Sequence, residues 1–275
     1  MCSVDKMKSL IVVLNEQIEN KRMIFNLTKY ELKSRYAGNA LGILWLFLNP
    51  IIQIGIFWFV FGVGIRGGAP VDGIPFIVWL QTGMIPWFFI SAGISQGATS
   101  ISSKLSVASK MNFPLSIVPA YVILAQLQTH LILLSLVFLI MIVHGVSFAG
   151  FSILALLYFI LTTTIFLMAL SFVTSTIISI VKDARQLIQH IVRFTFFMTP
   201  IMWETPRISN LWFQIVLRAN PVYYLVMGYR NAFLFSNVRS INLIDTIYFW
   251  SFTIFLMTLG MRIHIKFRRE FIDYL

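Results

Sequence analysis

The sequence predicts an all-α integral membrane protein with six transmembrane helices, an N-terminal amphipathic interfacial helix and short re-entrant helices between helices 5 and 6. The first observation is composition: of 275 residues, 58% are hydrophobic and only 11% are charged, whereas about 25% of the residues of soluble domains are charged. The second is the arrangement of the hydrophobic residues in long blocks. Each block contains, or nearly contains, the roughly 20 residues that cross a bilayer.

The formal net charge of +11 does not indicate nucleic-acid binding, because the lysines and arginines lie in short clusters between apolar blocks. No basic face with interleaved aromatic residues accompanies them. Cys2 is the only cysteine, which excludes an internal disulfide and a cysteine-rich metal site. We expect no signal peptide, because the first apolar block begins near residue 41, behind a polar segment, and the first membrane helix would then direct insertion.

Residues 1–42 are predicted to be a cytoplasmic segment that contains an interfacial amphipathic helix at 21–41 and a small-residue hinge at 37–42. Two apolar stripes lie on nearly opposite sides of this helix: Met23, Leu27, Tyr30, Ala37 and Leu41 on one, and Phe25, Leu32 and Tyr36 on the other. We expect one side to rest among lipid headgroups and the other to meet a protein partner. The alternative is a solvated helix with a basic, membrane-facing side.

The six-helix transmembrane domain is predicted to cover residues 43–267, followed by a cytoplasmic tail at 268–275. Its predicted spans are 43–65, 74–102, 115–143, 151–181, 185–202 and 243–264. Segment 203–240 contains apolar runs too short to span, separated by Asn-Pro, so we predict two short re-entrant helices protected by protein. A seventh span is the alternative. Six spans place fifteen of the 21 Lys and Arg residues inside, which favours two cytoplasmic termini.

Two sequence motifs typical of enzymes occur, but neither lies in the structural context that the motif requires. Residues 62–67 match G-x-G-x-x-G and residues 93–97 match G-x-S-x-G, but both lie in membrane helices without the strand that each motif requires. The glycines of 93–97 are better explained as a helix-packing face. No lysine follows a glycine, so no P-loop exists. The histidines are scattered and no acid lies in mid-span, which disfavours a metal site, a membrane-embedded transferase and an ion-coupled carrier.

Two polar stripes occur inside predicted spans, where hydrocarbon penalises a charged residue by roughly 2.5–3.5 kcal/mol. The first helix carries Trp45, Asn49, Gln53 and Phe57, and the fifth carries Gln186, Gln189, His190, Arg193 and Phe197. We favour the interpretation that these stripes line a hydrophilic path for a charged substrate. The alternative is that Arg193 snorkels back to the cytoplasmic headgroups.

Segment 101–114 joins the second and third spans on the cytoplasmic side. It is basic and polar, and its candidate contact residues are Lys104, Leu105, Val107, Ala108, Lys110 and Met111. Such a segment can form a short helix that docks in a groove of a soluble partner. An ordinary solvated turn is the alternative.

Four stretches together resemble the type-2 ABC exporter permeases for cell-surface polysaccharides. LTKYELKSRYAGNALGILWLFLNP at 27–50 is similar to the N-terminal signature of that family. MNFPLSIVPA at 111–120, MTPIMW at 198–203 and NPVYYLVMGYRNAFL at 220–234 continue the resemblance in the same order. The last stretch looks more like the teichoic acid translocation permeases than the O-antigen exporters.

This resemblance implies the transmembrane subunit of an ATP-driven exporter in the bacterial plasma membrane. The implied substrate is a polyprenyl-diphosphate-linked polymer, wall teichoic acid, moved from the cytoplasm to the outer face; an O-antigen or capsular polysaccharide exporter is the alternative. The resemblance implies a homodimer with two copies of a separate cytoplasmic ATPase, which binds ATP and Mg. It implies no cofactor, metal or catalytic site in this chain.

The resemblance also implies roles for particular residues. Segment 101–114 becomes the coupling helix on the ATPase, and the interfacial helix also touches the ATPase, through Phe25, Leu32 and Tyr36. The substrate path then runs between two protomers and is lined by the aromatic residues Phe57, Trp58 and Phe197 in addition to the polar stripes. The outer arginines Arg207, Arg218 and Arg230 either receive phosphate groups at the exit or anchor the re-entrant helices to headgroups.

Overall fold

The computed structural model describes residues 2–111, 114–148, 152–204, 210–235 and 242–268, without the side chains of 2–9, 106–111 and 152. Within these ranges the chain is helical and contains no strand. The α-helices are α1 (Cys2–Glu19), α2 (Lys21–Tyr36), α3 (Trp45–Phe57), α4 (Phe76–Ala98), α5 (Ser100–Met111), α6 (Ile117–Val143), α7 (Ser152–Ile180), α8 (Ala184–Met198), α9 (Leu211–Ala219), α10 (Pro221–Leu234) and α11 (Leu243–Phe267). A 3₁₀ turn at Gly42–Leu44 precedes α3, and a π-helical segment at Trp58–Ile65 extends it.

Five helical segments in the described ranges are long and apolar enough to cross a membrane. They are Gly42–Ile65, Phe76–Ala98, Ile117–Val143, Ile153–Ile180 and Leu243–Phe267. These segments agree with the first four predicted spans and the sixth. The second ends earlier than predicted, because α4 stops at Ala98 and α5 begins as a separate helix at Ser100.

The fifth predicted span, 185–202, is not confirmed. Helix α8 has 15 residues, about 22 Å at 1.5 Å per residue, whereas the hydrocarbon core of a bilayer is about 30 Å thick. The helix stops at Met198 because Thr199 adopts an extended conformation, with φ −86° and ψ 135°. Pro200 explains this end, since the residue before a proline is disfavoured in the helical conformation.

Helix α4 lies at the centre of the bundle, and most of its side chains are buried. It contacts α6, α7, α8 and α10, while α7 packs along α11. Gly93 and Gly97 allow α4 and α7 to approach closely: a Cβ atom would lie 2.6 Å from Leu167 at Gly93 and 2.0 Å from Ser171 at Gly97. The small-residue face predicted at 93–97 therefore packs against another helix, as in other membrane proteins.

The bundle has two distinct ends. At the first, which we call the α2–α5 end, Lys104 of α5 donates to Glu31 of α2 at 2.9 Å, and Arg268 after α11 pairs with Glu16 of α1. At the opposite end, Arg66 after the π-helical segment pairs with Glu204 after α8. Both ends are thus tied by ion pairs between elements that are distant in sequence.

Helix α2 has a buried face that the sequence interpretation did not foresee. Its buried residues, Ile24 and Thr28, lie between the two predicted stripes and face α6. The Thr28 hydroxyl donates to the carbonyl of Ile24 at 2.8 Å and approaches that of Tyr121 at 3.4 Å. Because the Thr28 hydroxyl bonds to its own helix, it is buried without being left unpaired. Helix α2 therefore packs against the bundle as well as presenting two outer sides.

Helices α9 and α10 occupy the segment predicted to contain two short helices. They meet at Asn220, whose Oδ1 accepts from the backbone N–H of Val222 at 3.0 Å, and Pro221 follows as the first residue of α10, where its missing N–H costs nothing. Helix α9 is largely exposed, whereas α10 is buried against α4 and α7. Their re-entrant position in the membrane stays a prediction.

Candidate functional site

A polar cleft of about 390 Å³ lies between α2, α3, α4 and α6. Its polar and aromatic lining residues are Arg35, Tyr36, Trp45, Asn49, Gln53, Phe88, Phe89, Ser91, Ser95, Gln96, Gln126, Thr129 and His130. The hinge after α2 shapes its mouth, because positive φ angles at Gly38 (89°) and Gly42 (49°) turn the chain from α2 into α3. None of the residues that line the cleft is acidic.

Arg35 is the only charged lining residue, and amides rather than carboxylates hold it. Its Nη1 donates to Gln126 Oε1 at 3.0 Å, and its Nη2 donates to Gln96 Oε1 at 2.6 Å. The amide of Gln126 also donates to Gln96 Oε1. Burial lowers the pKa of the Arg35 guanidinium below its usual range, but a guanidinium does not deprotonate in proteins. No carboxylate lines the cleft to pair with this charge, although Glu31, one turn earlier on α2, acts on it electrostatically.

His130 forms the inner limit of the cleft, half-way along α6. Its Nε2 lies 3.1 Å from the hydroxyl of Tyr229 on α10, and its ring stacks on Phe89 with centroids 4.7 Å apart. The cleft thus runs from Arg35 at the α2–α5 end to the middle of the bundle. It presents a cation at its mouth and hydroxyl and amide groups farther in, which suits an anionic head followed by a polar, hydrogen-bonding group.

A family model described as "ABC-2 type transporter" matches residues 22–234, a range that includes every residue lining the cleft. The chain belongs to the ABC-2 type transporter family. It is therefore a multi-pass membrane permease of an ABC transporter. The prediction of a type-2 ABC permease, made from the resemblance of four sequence stretches, is confirmed.

Three relatives share one name, O-antigen export system permease protein RfbA. The protein from Myxococcus xanthus is 26% identical over 228 residues, which cover 82% of this chain and 85% of that protein. One from Klebsiella pneumoniae is 23% identical over 249 residues, covering 90% of this chain and 93% of its own. Another from Klebsiella pneumoniae is 22% identical over 247 residues, covering 88% and 91%.

The two polar stripes predicted for the permease differ in their surroundings. Asn49 and Gln53 line the cleft, and Phe57 is half-buried beyond them. The predicted residues of α8 do not line the cleft, and all are exposed: Gln186, Gln189, His190, Arg193 and Phe197. A common path lined by both stripes stays a prediction.

Phe196 is the aromatic residue of α8 that faces the bundle, whereas Phe197, predicted to line a path between protomers, is exposed. Its ring lies 5.7 Å from that of Phe57 and 5.2 Å from that of Trp87. Phe197 is 66% exposed and Trp58 is 40% exposed. The helical face that packs against α4 carries Phe196, and adjacent residues on a helix cannot share a face.

The predicted ATPase-contacting segment is a 12-residue helix, α5. The side chains of Val107, Ala108, Lys110 and Met111 lie outside the described residues. Leu105 is half-buried in an apolar cluster that joins α2, α5 and α6, so it contributes to packing within the chain.

The three aromatic and apolar residues predicted on the partner-facing side of α2 do not share one environment. Phe25 is 55% exposed, with Lys29 Nζ 4.3 Å above its ring, and Leu32 is half-buried. Tyr36 instead lines the cleft, where burial raises its pKa. Tyr36 thus differs from the other two residues, because the chain turns at Gly38 and brings α3 and α4 over it. Contact of all three with a partner stays a prediction.

The expectation for Arg230 is wrong, since this residue neither reaches headgroups nor is free to receive phosphate. It is 2% exposed. Its guanidinium donates to the carbonyls of Pro200 at 2.7 Å and Ile201 at 3.0 Å and lies 3.8 Å above the ring of Trp79. Arg230 therefore joins α10 to the turn after α8 and to α4.

The other two arginines of this group differ from Arg230. Arg218 is exposed and lines a second cavity. Arg207 lies outside the described residues.

Three residues that define the cleft were not among the predicted site residues: Arg35, Gln96 and Gln126. A usable signal was present, because Gln96 and Gln126 are polar residues inside apolar spans, and such residues normally face protein or water. Their convergence on Arg35 could not be read from the sequence, since α2, α4 and α6 are separated by 61 and 91 residues at these contacts.

Proposed function

We propose that this permease is the transmembrane subunit of an ATP-driven exporter that moves a polyprenyl-diphosphate-linked polysaccharide of the O-antigen kind to the outer face of the bacterial plasma membrane. The observation that carries this proposal is the cleft, with Arg35 held by amides at its mouth and with neutral amide, hydroxyl and aromatic groups farther in. The relatives support the choice of an O-antigen-like polymer over wall teichoic acid, which the resemblance of residues 220–230 favoured.

The chemistry of the cleft matches the head of such a substrate. A guanidinium binds phosphate oxygens through two parallel hydrogen bonds, a geometry that an ammonium cannot reproduce. The hydroxyls of sugars both donate and accept, as do the amides of Asn49 and Gln53 and the hydroxyls of Ser91 and Ser95. A substrate with diphosphate next to sugar would place phosphate at Arg35 and sugar toward His130.

Energy for export would come from a separate ATPase, with ATP and Mg bound there. Two copies of this permease and two of the ATPase form the proposed complex. The α2–α5 end faces the cytoplasm in this arrangement, since it carries α5 and both described termini. If the permease crosses the membrane six times, α8 is the fifth crossing even though it is short. Its exposed face would then be covered by the second protomer or by lipid.

Reconstitution tests the proposal directly. We expect proteoliposomes that contain this permease and its ATPase to translocate a polyprenyl-diphosphate-linked O-antigen chain only with ATP and Mg, and the permease alone to hydrolyse no ATP. Wall teichoic acid precursor serves as the competing substrate. Transport of teichoic acid but not of O-antigen would reverse the choice of polymer, and transport that needs a proton gradient but no ATP would contradict the proposal.

The Lys104–Glu31 pair at 2.9 Å links the proposed coupling helix to the interfacial helix. We expect Lys104→Glu to lower permease-stimulated ATPase activity several-fold. The introduced carboxylate would repel that of Glu31 and so push α5 away from α2. The double variant Lys104→Glu, Glu31→Lys should restore the activity, since it restores the pair with reversed sign. The measurement is ATP hydrolysis by the reconstituted complex.

The reciprocal variants also separate two roles for Lys104. If Lys104 acted only by touching the ATPase, the double variant would stay as impaired as the single one, and co-purification of the two subunits would fall. Lys182→Glu is a matched control, because Lys182 is exposed at the same end of the bundle and pairs with no acid in the described part of the chain.

The exposed stripe of α8 gives a separate prediction about the path between protomers. We expect Gln189→Leu combined with Arg193→Leu to reduce export about tenfold or more while the melting temperature stays unchanged, because neither side chain makes a hydrogen bond within the described residues. The readout is polymer at the cell surface together with thermal unfolding of the purified protein. Normal export in this variant would leave Arg193 as a headgroup anchor only.

A further inference from the structure

A second cavity, of about 260 Å³, lies at the end of the bundle opposite α2 and α5. It is formed where α7 and α11 begin and where α9 gives way to α10. Its walls include Phe159, Tyr223 and Tyr224, and Gly228 lets α10 approach Phe159 so closely that a Cβ atom there would lie 2.0 Å from the ring. The cavity is separate from the cleft, with no lining residue in common.

The polar groups of this cavity are of mixed character. Arg218 supplies donors and Asp245 supplies acceptors, while Asn231 and Asn242 supply both. Asn242 uses its Oδ1 to cap α11, accepting from the N–H of Ile244 at 3.0 Å, which leaves its NH₂ group for another partner. The side chain of Asn231 makes no hydrogen bond within the described residues, although it is half-buried.

The hydroxyl groups behind the cavity are already paired and hold its aromatic wall in place. Tyr224 lies 3.0 Å from the hydroxyl of Tyr158 and 3.1 Å from that of Thr246, and Trp250 donates to Tyr158 at 2.9 Å. A wall fixed by such a network keeps its shape when a ligand enters.

The mixed lining is unfavourable for several ligand classes. A phosphate would meet the carboxylate of Asp245, a simple cation would meet Arg218, and a hydrocarbon tail would leave four polar side chains without partners. A neutral molecule with several hydroxyl groups satisfies all of them. The volume of the cavity, about 260 Å³, is below the roughly 300–1,000 Å³ of sites for drug-sized ligands. The occupant is therefore small.

We propose that this cavity binds a single sugar unit of the exported polymer at the outer end of the permease. The sugar ring would lie against the aromatic wall, with its hydroxyls bonded to Asn231, Asn242 and Asp245. The orientation of the cavity toward the outer side rests on the proposed function, whereas the choice of a neutral sugar rests on the lining alone.

Binding of simple glycosides to the full-length permease tests the inference. The protein is placed in lipid nanodiscs, because maltoside detergents carry sugar headgroups, and saturation-transfer NMR measures binding of methyl hexosides and methyl N-acetylhexosaminides. We expect binding by the unaltered protein and about three- to tenfold weaker binding in Asn231→Leu, which loses neutral hydrogen bonds to the ligand. Asn26→Leu is the matched control, because Asn26 is exposed on α2.

The possible outcomes are distinct. No binding of any glycoside, equal binding in Asn231→Leu, or displacement of the glycosides by inorganic phosphate would each overturn the inference. Weaker binding in Gln53→Leu but not in Asn231→Leu would assign the sugar to the cleft instead and would also overturn it. Failure of ATP-driven export in proteoliposomes would contradict the proposed function while leaving glycoside binding at this cavity intact.

Discussion

Replacing Arg230 with alanine is expected to destabilise the permease by about 3 kcal/mol or more. The change removes two hydrogen bonds from a charged donor, each worth roughly 1.5–3 kcal/mol, and the contact with the Trp79 ring, worth about 2 kcal/mol when desolvated. It also leaves the carbonyls of Pro200 and Ile201 without these donors. Thermal unfolding of the purified protein and its yield from membranes are the measurements.

Two further variants show whether the effect comes from this geometry. Arg230→Lys should recover only part of the stability. Unlike a planar guanidinium, an ammonium group cannot donate to two carbonyls while it stacks on an aromatic ring. Arg218→Ala should leave the melting temperature unchanged, because Arg218 is exposed. A stable Arg230→Ala protein that fails only in export would instead favour a phosphate-receiving role for Arg230.

Replacing Arg35 with leucine is expected to reduce export of the lipid-linked polymer by about 10- to 100-fold. A hydrogen-bonded contact to a charged group is worth roughly 1.5–3 kcal/mol, and each 1.4 kcal/mol corresponds to a factor of ten. Because Arg35 carries the only charge of the cleft, no neighbouring lining residue can replace it. The measurement is ATP-dependent transport in proteoliposomes at limiting substrate concentration.

The control for Arg35 lies on the same helix. Arg22→Leu removes an equal charge from an exposed position of α2, so its export should remain close to that of the unaltered protein. Arg35→Lys should retain part of the export, because the charge stays while the fork is lost. Export reduced equally in Arg22→Leu and Arg35→Leu would show that general basicity of α2, rather than the cleft, governs substrate uptake.

The sequence predicted the helical architecture well where the signal is local. Long apolar blocks located five helices that can span a membrane, and Asn220-Pro221 located the junction of α9 and α10. The hinge after α2 was visible as Gly38 and Gly42. These features depend on local composition and on the conformational preferences of single residues. Both can be read from short stretches of the sequence.

The roles of individual polar residues were less predictable. The sequence predicted that Arg230 and Arg218 both lie on the outer side. In the structure, Arg230 is buried against Trp79, whereas Arg218 lines an open cavity. The polar stripe of α8 is exposed, whereas Asn49 and Gln53 line a cleft with Arg35, a difference that the spacing of these residues did not reveal. Helical periodicity gives the relative angles of residues on one helix, but it cannot give the direction in which that helix faces its neighbours.

The sequence by itself determined that this protein is a helical membrane permease of the type-2 ABC kind without a P-loop of its own. Only the tertiary structure decided where its polar groups converge: Arg35 with Gln96 and Gln126 in one cleft, and Asn231 with Asp245 in another cavity. The physical reason is that a polar side chain in an apolar environment needs a partner, while the identity of that partner depends on which distant helices pack together.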